Sequence, residues 1–151
     1  MADRERIRRI RTVRRLREIR ETADARAVGE ARAGLAVAER KLAAVDENCL
    51  RLQREIAASM VEGARSTEAV ESHLAWVALR RRRADTMSDV ERCRERLREA
   101  IGGYLRSRIE RKRMEAWERA AADALRREEE HSAAVAQDEL AVIRHGWRRE
   151  A

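Results

Sequence analysis

The chain lacks phenylalanine and proline altogether, holds three Trp, one Tyr and only six Gly, and carries two cysteines among 151 residues. Each scarcity excludes something. Four aromatics cannot anchor a rounded interior, and without proline the sequence lacks its strongest turn punctuation. Cys49 and Cys93 form no CxxC pair, and three scattered histidines make no ligand cluster, so neither a metal site nor a redox motif is expected. There is no glycine-rich phosphate loop and no nucleophile elbow, and no cofactor is called for. No apolar run approaches the roughly 20 residues of a membrane span, and the Arg-rich start has no apolar core of a secretory signal. These absences predict a reduced, cytoplasmic, non-enzymatic protein with no membrane insertion.

What is present is charge and helical periodicity. Charged residues make up 42% of the chain and apolar ones 44%, which is too apolar for a disordered chain. Val28, Leu35, Leu42, Cys49 and Ile56 recur every seven residues, with Ala31, Ala38, Val45, Leu52 and Ser59 three after each. That a/d pattern over five heptads predicts coiled-coil packing. Gly63, Ser66 and Thr67 interrupt it, and Ser66 or Thr67 can cap a new helix with Glu68 in its first turn. Beyond it Met87, Val90, Leu97, Ile101, Tyr104, Ile109, Trp117, Ala121, Ala124, Val135 and Val142 keep a spacing of roughly three to four.

The fold class predicted is all-α, a long antiparallel two-helix coiled-coil hairpin with helices at 3–62 and 68–146 and a turn at 63–67. The whole of 1–151 is then one hairpin. With the turn near residue 65, facing residues have numbers that sum to about 130. Asp46 and Glu47 then face Arg80 to Arg83, and residue 3 lies opposite 127. Cys49 and Cys93 fall about 18 Å apart along the axis, beyond disulfide reach. Gly29, Gly34, Gly102 and Gly103 meet at one height, either for close backbone packing or as a flexible joint.

Charge is uneven: residues 1–20 carry nine Arg against three acids, and 80–113 are net +7, while 21–79 and 114–151 are each net −3. Ile7, Ile10, Val13, Leu16 and Ile19 are spaced by three, so they sweep about 240° around a helix. One partner helix covers only a narrow stripe of that.

The run Arg111-Lys112-Arg113-Met114-Glu115-Ala116-Trp117-Glu118, followed by Gln137-Asp138-Glu139-Leu140-Ala141, resembles the FliJ/YscO family, stalk proteins of flagellar and virulence type III secretion systems. Length, two-helix layout and basic charge agree, so the resemblance spans nearly the whole chain. It implies a central stalk whose base enters a hexameric export ATPase. The tip would reach the cytosolic domain of the export gate, and export chaperones are possible further partners. On that basis Ile7, Ile10, Arg14, Leu16, Arg111, Arg113 and Trp117 are expected to bind the ATPase, and Leu74, Trp76, Val77 and Leu79 the gate. Leu74 and Val77 are also candidates for the seam, whereas Trp76 cannot share their stripe and is expected to be exposed. The competing reading is a basic helical hairpin that binds nucleic acid nonspecifically. Against it stand the lack of interleaved aromatics and of any recognition motif, and specific nucleic-acid binding is not expected.

Overall fold

In a computed structural model the chain is all-helical, two long helices packed against each other as a hairpin. The structure describes residues 2–62 and 66–149, with side chains for 4–61 and 67–145. Helix α1 is Ala2–Glu62 and helix α2 is Ser66–Arg149. Residues 63–65 of the expected turn lie outside the described ones. Helix α2 starts two residues before the expected 68, with Glu68 in its first turn, and runs past 146. An isolated glycine costs a helix only about 1 kcal/mol, and no proline follows Gly146 to stop it.

The contacts divide into two compact units. One takes the chain up to Thr22 together with the chain from Arg106 onward, and the other takes Ala23–Leu105.

Within the unit Ala23–Leu105, all ten heptad positions from Val28 to Ser59 are buried or half-buried. Val28, Ala38, Val45, Cys49 and Val90 are buried there, and they are all of the buried apolar residues among the described ones. Helix α2 answers with Trp76, Leu79, Thr86, Val90, Cys93, Leu97, Ala100 and Tyr104. This is an alternation of three and four, broken only between Leu79 and Thr86 where Arg83 is exposed, and its members differ from the expected list. Met87 is exposed and Thr86 takes its place, its hydroxyl donating to the Arg82 carbonyl at 2.8 Å. An i−4 backbone acceptor lets a threonine sit in a seam at little cost. Both cysteines are free thiols. Arg83 Nε meets Asp46 Oδ1 at 2.5 Å and Arg94 reaches Glu39 at 3.5 Å, pairs that satisfy the expected register.

Three of the glycines, Gly29, Gly34 and Gly103, serve no close packing. A methyl group built on Gly29, Gly34 or Gly103 meets nothing within 4 Å. Each therefore weakens its helix without filling a contact that only glycine could make. Seam residues Ala31, Ala38 and Ala100 at this height bury little area, so this stretch is held less firmly than the Leu42–Ile56 stretch.

Gly29→Ala, Gly34→Ala and Gly103→Ala are each expected to stabilise the chain by about 0.5–1 kcal/mol in urea unfolding. Amides at 28–34 and 99–105 should exchange faster than those at 42–56 in the native chain, and the triple alanine variant should narrow the difference. A destabilising alanine at any of the three would contradict the open space seen there.

Candidate interaction surfaces of the hairpin

The heptad does not end where its apolar residues do. Counting back by sevens from Val28 gives Glu21, Arg14 and Ile7, and from Ala31 gives Asp24, Arg17 and Ile10. All six are half-buried. On α2 the seam continues through Ser107, Arg111, Met114, Glu118, Ala121 and Leu125. In the unit of residues up to Thr22 and from Arg106, the seam thus mixes charge with apolar groups, Arg14, Arg17, Glu21, Arg111 and Glu118 beside Ile7, Ile10, Met114, Ala121 and Leu125. Ser107, 2% exposed, is its one buried residue among those described.

Arg14 Nη1 lies 2.9 Å from Glu118 Oε2, and Arg11 Nε donates to Glu118 Oε1 at 3.0 Å. Arg17 donates to Glu110, and Arg111 donates to Glu21 and to Glu115. Arg4 Nη2 closes the series on Glu129 Oε1 at 2.8 Å. The hydrogen bond to Glu21 raises the Arg111 pKa above its ordinary value, partly opposed by desolvation and helped by the Glu115 charge. Satisfaction is incomplete. Arg14 Nε and Glu118 Oε2 are buried, yet their ionic contacts lack hydrogen-bond geometry.

The seven residues expected to meet an ATPase therefore separate. Ile7 and Ile10 are half-buried in the seam, and Arg14 and Arg111 are engaged in its ion pairs. Leu16, Arg113 and Trp117 are exposed, Leu16 at 61% and Trp117 at 64%. Lettering the heptad from Val28 as position a places Val13 and Leu16 at g and c of α1. Trp117 and Arg113 are g and c of α2. In an antiparallel pair the two g flanks adjoin, just as Arg4–Glu129 joins the two e flanks. Val13, Leu16 and Trp117 thus share one flank of this unit with Arg6, Arg20 and Arg113. Ile19 points away from the seam and is also exposed.

In the other unit the structure reverses an assignment. Leu74 and Val77 are exposed, at 63% and 51%, while Trp76 and Leu79 are half-buried. Trp76 is the residue that continues the spacing from Leu79, so the seam takes the indole and turns Leu74 and Val77 outward. Ile56, Met60, Ala69, His73 and Trp76 line a groove of about 360 Å³. Exposed Met60, Val61 and Val70 add to the apolar surface of this end.

Among the described residues no group of His, Cys, Asp and Glu could hold a metal ion, and no helix is long and apolar enough to cross a membrane. The family model described as flagellar FliJ protein matches residues 6–150. The chain belongs to the FliJ family. This makes it a non-enzymatic component of the flagellar or type III export apparatus. No curated protein and no solved structure matches it.

Trp76→Ala is expected to destabilise the chain by about 1–2 kcal/mol, since a half-buried indole leaves a partial cavity in the seam. Leu74→Ala and Val77→Ala should stay within about 0.5 kcal/mol of the parent. Chemical unfolding of the three variants checks the assignment, and equal losses would refute it.

Proposed function

We propose that this FliJ-family chain is the central stalk of a hexameric export ATPase, coupling it to the cytosolic domain of the export gate on the cytoplasmic side. The observation that carries the reading is the flank of Val13, Leu16 and Trp117 set among Arg6, Arg20 and Arg113. It is apolar and positive at once. A ring lined by apolar and acidic side chains complements both properties, because the apolar groups supply affinity and the charges steer approach. Nine Arg within residues 1–20 extend the positive field along α1.

The ATPase contact is assigned to Leu16, Arg113 and Trp117. Ile7, Ile10, Arg14 and Arg111 set the shape beneath them. At the other unit, the exposed Leu74 and Val77 offer the gate its apolar contact, and Trp76 with Leu79 supports them from the seam. Export chaperones are further candidates for that exposed apolar surface.

Replacing Leu16 by Ser, Arg113 by Glu and Trp117 by Ser together is expected to lower stimulation of the export ATPase about tenfold, the effect of removing an apolar anchor. Circular dichroism should show the helices intact. Unchanged stimulation by the helical variant would sink the reading. Equal binding of random duplex DNA by parent and variant, with no effect on the ATPase, would favour the nucleic-acid alternative.

A further inference from the structure

We propose that this chain pairs with a second copy of itself, the far end of each α2 lying on the Val13, Leu16 and Trp117 flank of the other. The contact needs nothing beyond the unit of residues up to Thr22 and from Arg106. That it withholds the flank from an export ATPase rests on the stalk reading.

The first observation is an amphipathic stretch that α1 does not cover. Arg4 of α1 is level with Glu129 of α2, and from Arg126 to His145 every residue of α2 is exposed. The seam phase nonetheless runs on, because Val135 and Val142 lie seven and fourteen past Glu128, itself seven past Ala121. Leu140 and Ile143 stand beside them, and at 100° per residue the four fall within an arc of about 160°. All four are 43–72% exposed. A helix with one apolar side calls for a surface to lay it on. The flank of the same copy is out of reach, since α2 continues as one helix and Leu140 lies about 35 Å past Trp117. Only another chain can bring the two surfaces together.

The second observation is charge. Residues 128–143 hold five acids and no Lys or Arg, in a chain of net +7. Of those five, only Glu129 has an ion-pair partner among the described residues. The flank is the converse. Arg6, Arg20 and Arg113, with Arg127 two heptads past Arg113, are exposed and pair with no acid among the described residues. Each surface is thus apolar and carries unpaired charge, and the two signs are opposite. A two-fold axis makes the contact twice, with the two ends of α2 running antiparallel past each other. The paired contacts cover on the order of 1,200 Å², the lower end of stable interfaces. Association in the micromolar range follows, weak enough for another ligand to displace. The pair buries Leu16, Arg113 and Trp117, so the dimer is a stored form and the free chain is the one that engages a ring.

Sedimentation equilibrium of the full chain in about 50 mM and about 500 mM NaCl tests the contact with no other protein present. A monomer–dimer equilibrium is expected, weakened about tenfold at the higher salt. Asp138→Lys with Glu139→Lys sets like charges against the partner's flank, and Arg20→Glu with Arg113→Glu does the same from the other side. Each variant alone should be monomeric. Mixed, they should pair as tightly as the parent, because both contacts of the heterodimer then join opposite charges. A dimer that survives in either variant alone, or variants that stay apart when mixed, overturns the contact. So does a parent that remains monomeric up to about 0.5 mM. Titration against the purified hexameric export ATPase tests the withholding. The Asp138→Lys, Glu139→Lys variant should stimulate it at several-fold lower concentration than the parent. Equal curves from a dimeric parent overturn the withholding, and lost stimulation overturns it by making the ring itself the occupant of this end of α2. A parent that dimerises as expected, while neither it nor the variant acts on the ATPase, overturns the stalk reading and leaves the self-contact standing.

Discussion

Everything in this chain hangs on a seam in which seam residues alternate at intervals of three and four. The phase holds along the paired helices, with Arg83 of α2 the exposed exception, but its chemistry changes. From Val28 to Ile56 it carries aliphatic groups and a thiol, which remove apolar area from water. From Arg14 to Asp24 it carries charge, and on α2 Arg111 and Glu118 do so on either side of Met114. One geometry thus serves two kinds of cohesion, one insensitive to salt and one dependent on it.

That difference bears on the proposed stalk role. A firmly packed stretch can transmit force, because its apolar core resists local opening. A stretch joined by ion pairs gains register more than strength from them. Like charges in a shifted register would face each other, and this penalty favours one alignment. It also leaves the neighbouring apolar residues unclaimed by the pair itself. Leu16, Ile19 and Trp117 are exposed because the heptad phase puts them outside the seam, whose neighbouring positions are taken by Arg14, Arg17 and Glu118.

The two apolar surfaces differ in kind. The flank of Val13, Leu16 and Trp117 lies among arginines, so approach to it is selective for negative potential. The surface around Met60, Val70, Leu74 and Val77 has the Trp76 groove beside it and Glu68 and Gln53 at its margin. It suits a partner chosen by shape and apolar area. Two partners of unlike chemistry are what the proposed stalk role requires.

By itself the sequence determined the all-helical hairpin, the register and the family. Heptads, a single break and complementary charges each constrain the backbone locally, and they agree. Asp46 with Arg83 was legible for that reason. Tertiary structure decided which residues the seam takes. An apolar template steps over Thr86, Ser107, Arg111 and Glu118, and so it drew Met87, Ile109 and Trp117 inward, where the structure leaves them exposed. Counting by sevens from Val28 would have found Arg14 and Glu21, since phase and not polarity assigns a seam position. The same phase put Trp76 inside and Leu74 and Val77 outside. No count along one helix could show that Arg14 and Glu118 are covered together. Burial of a charged pair depends on what the facing helix brings to the same height, and only packing of the two chain segments fixes that.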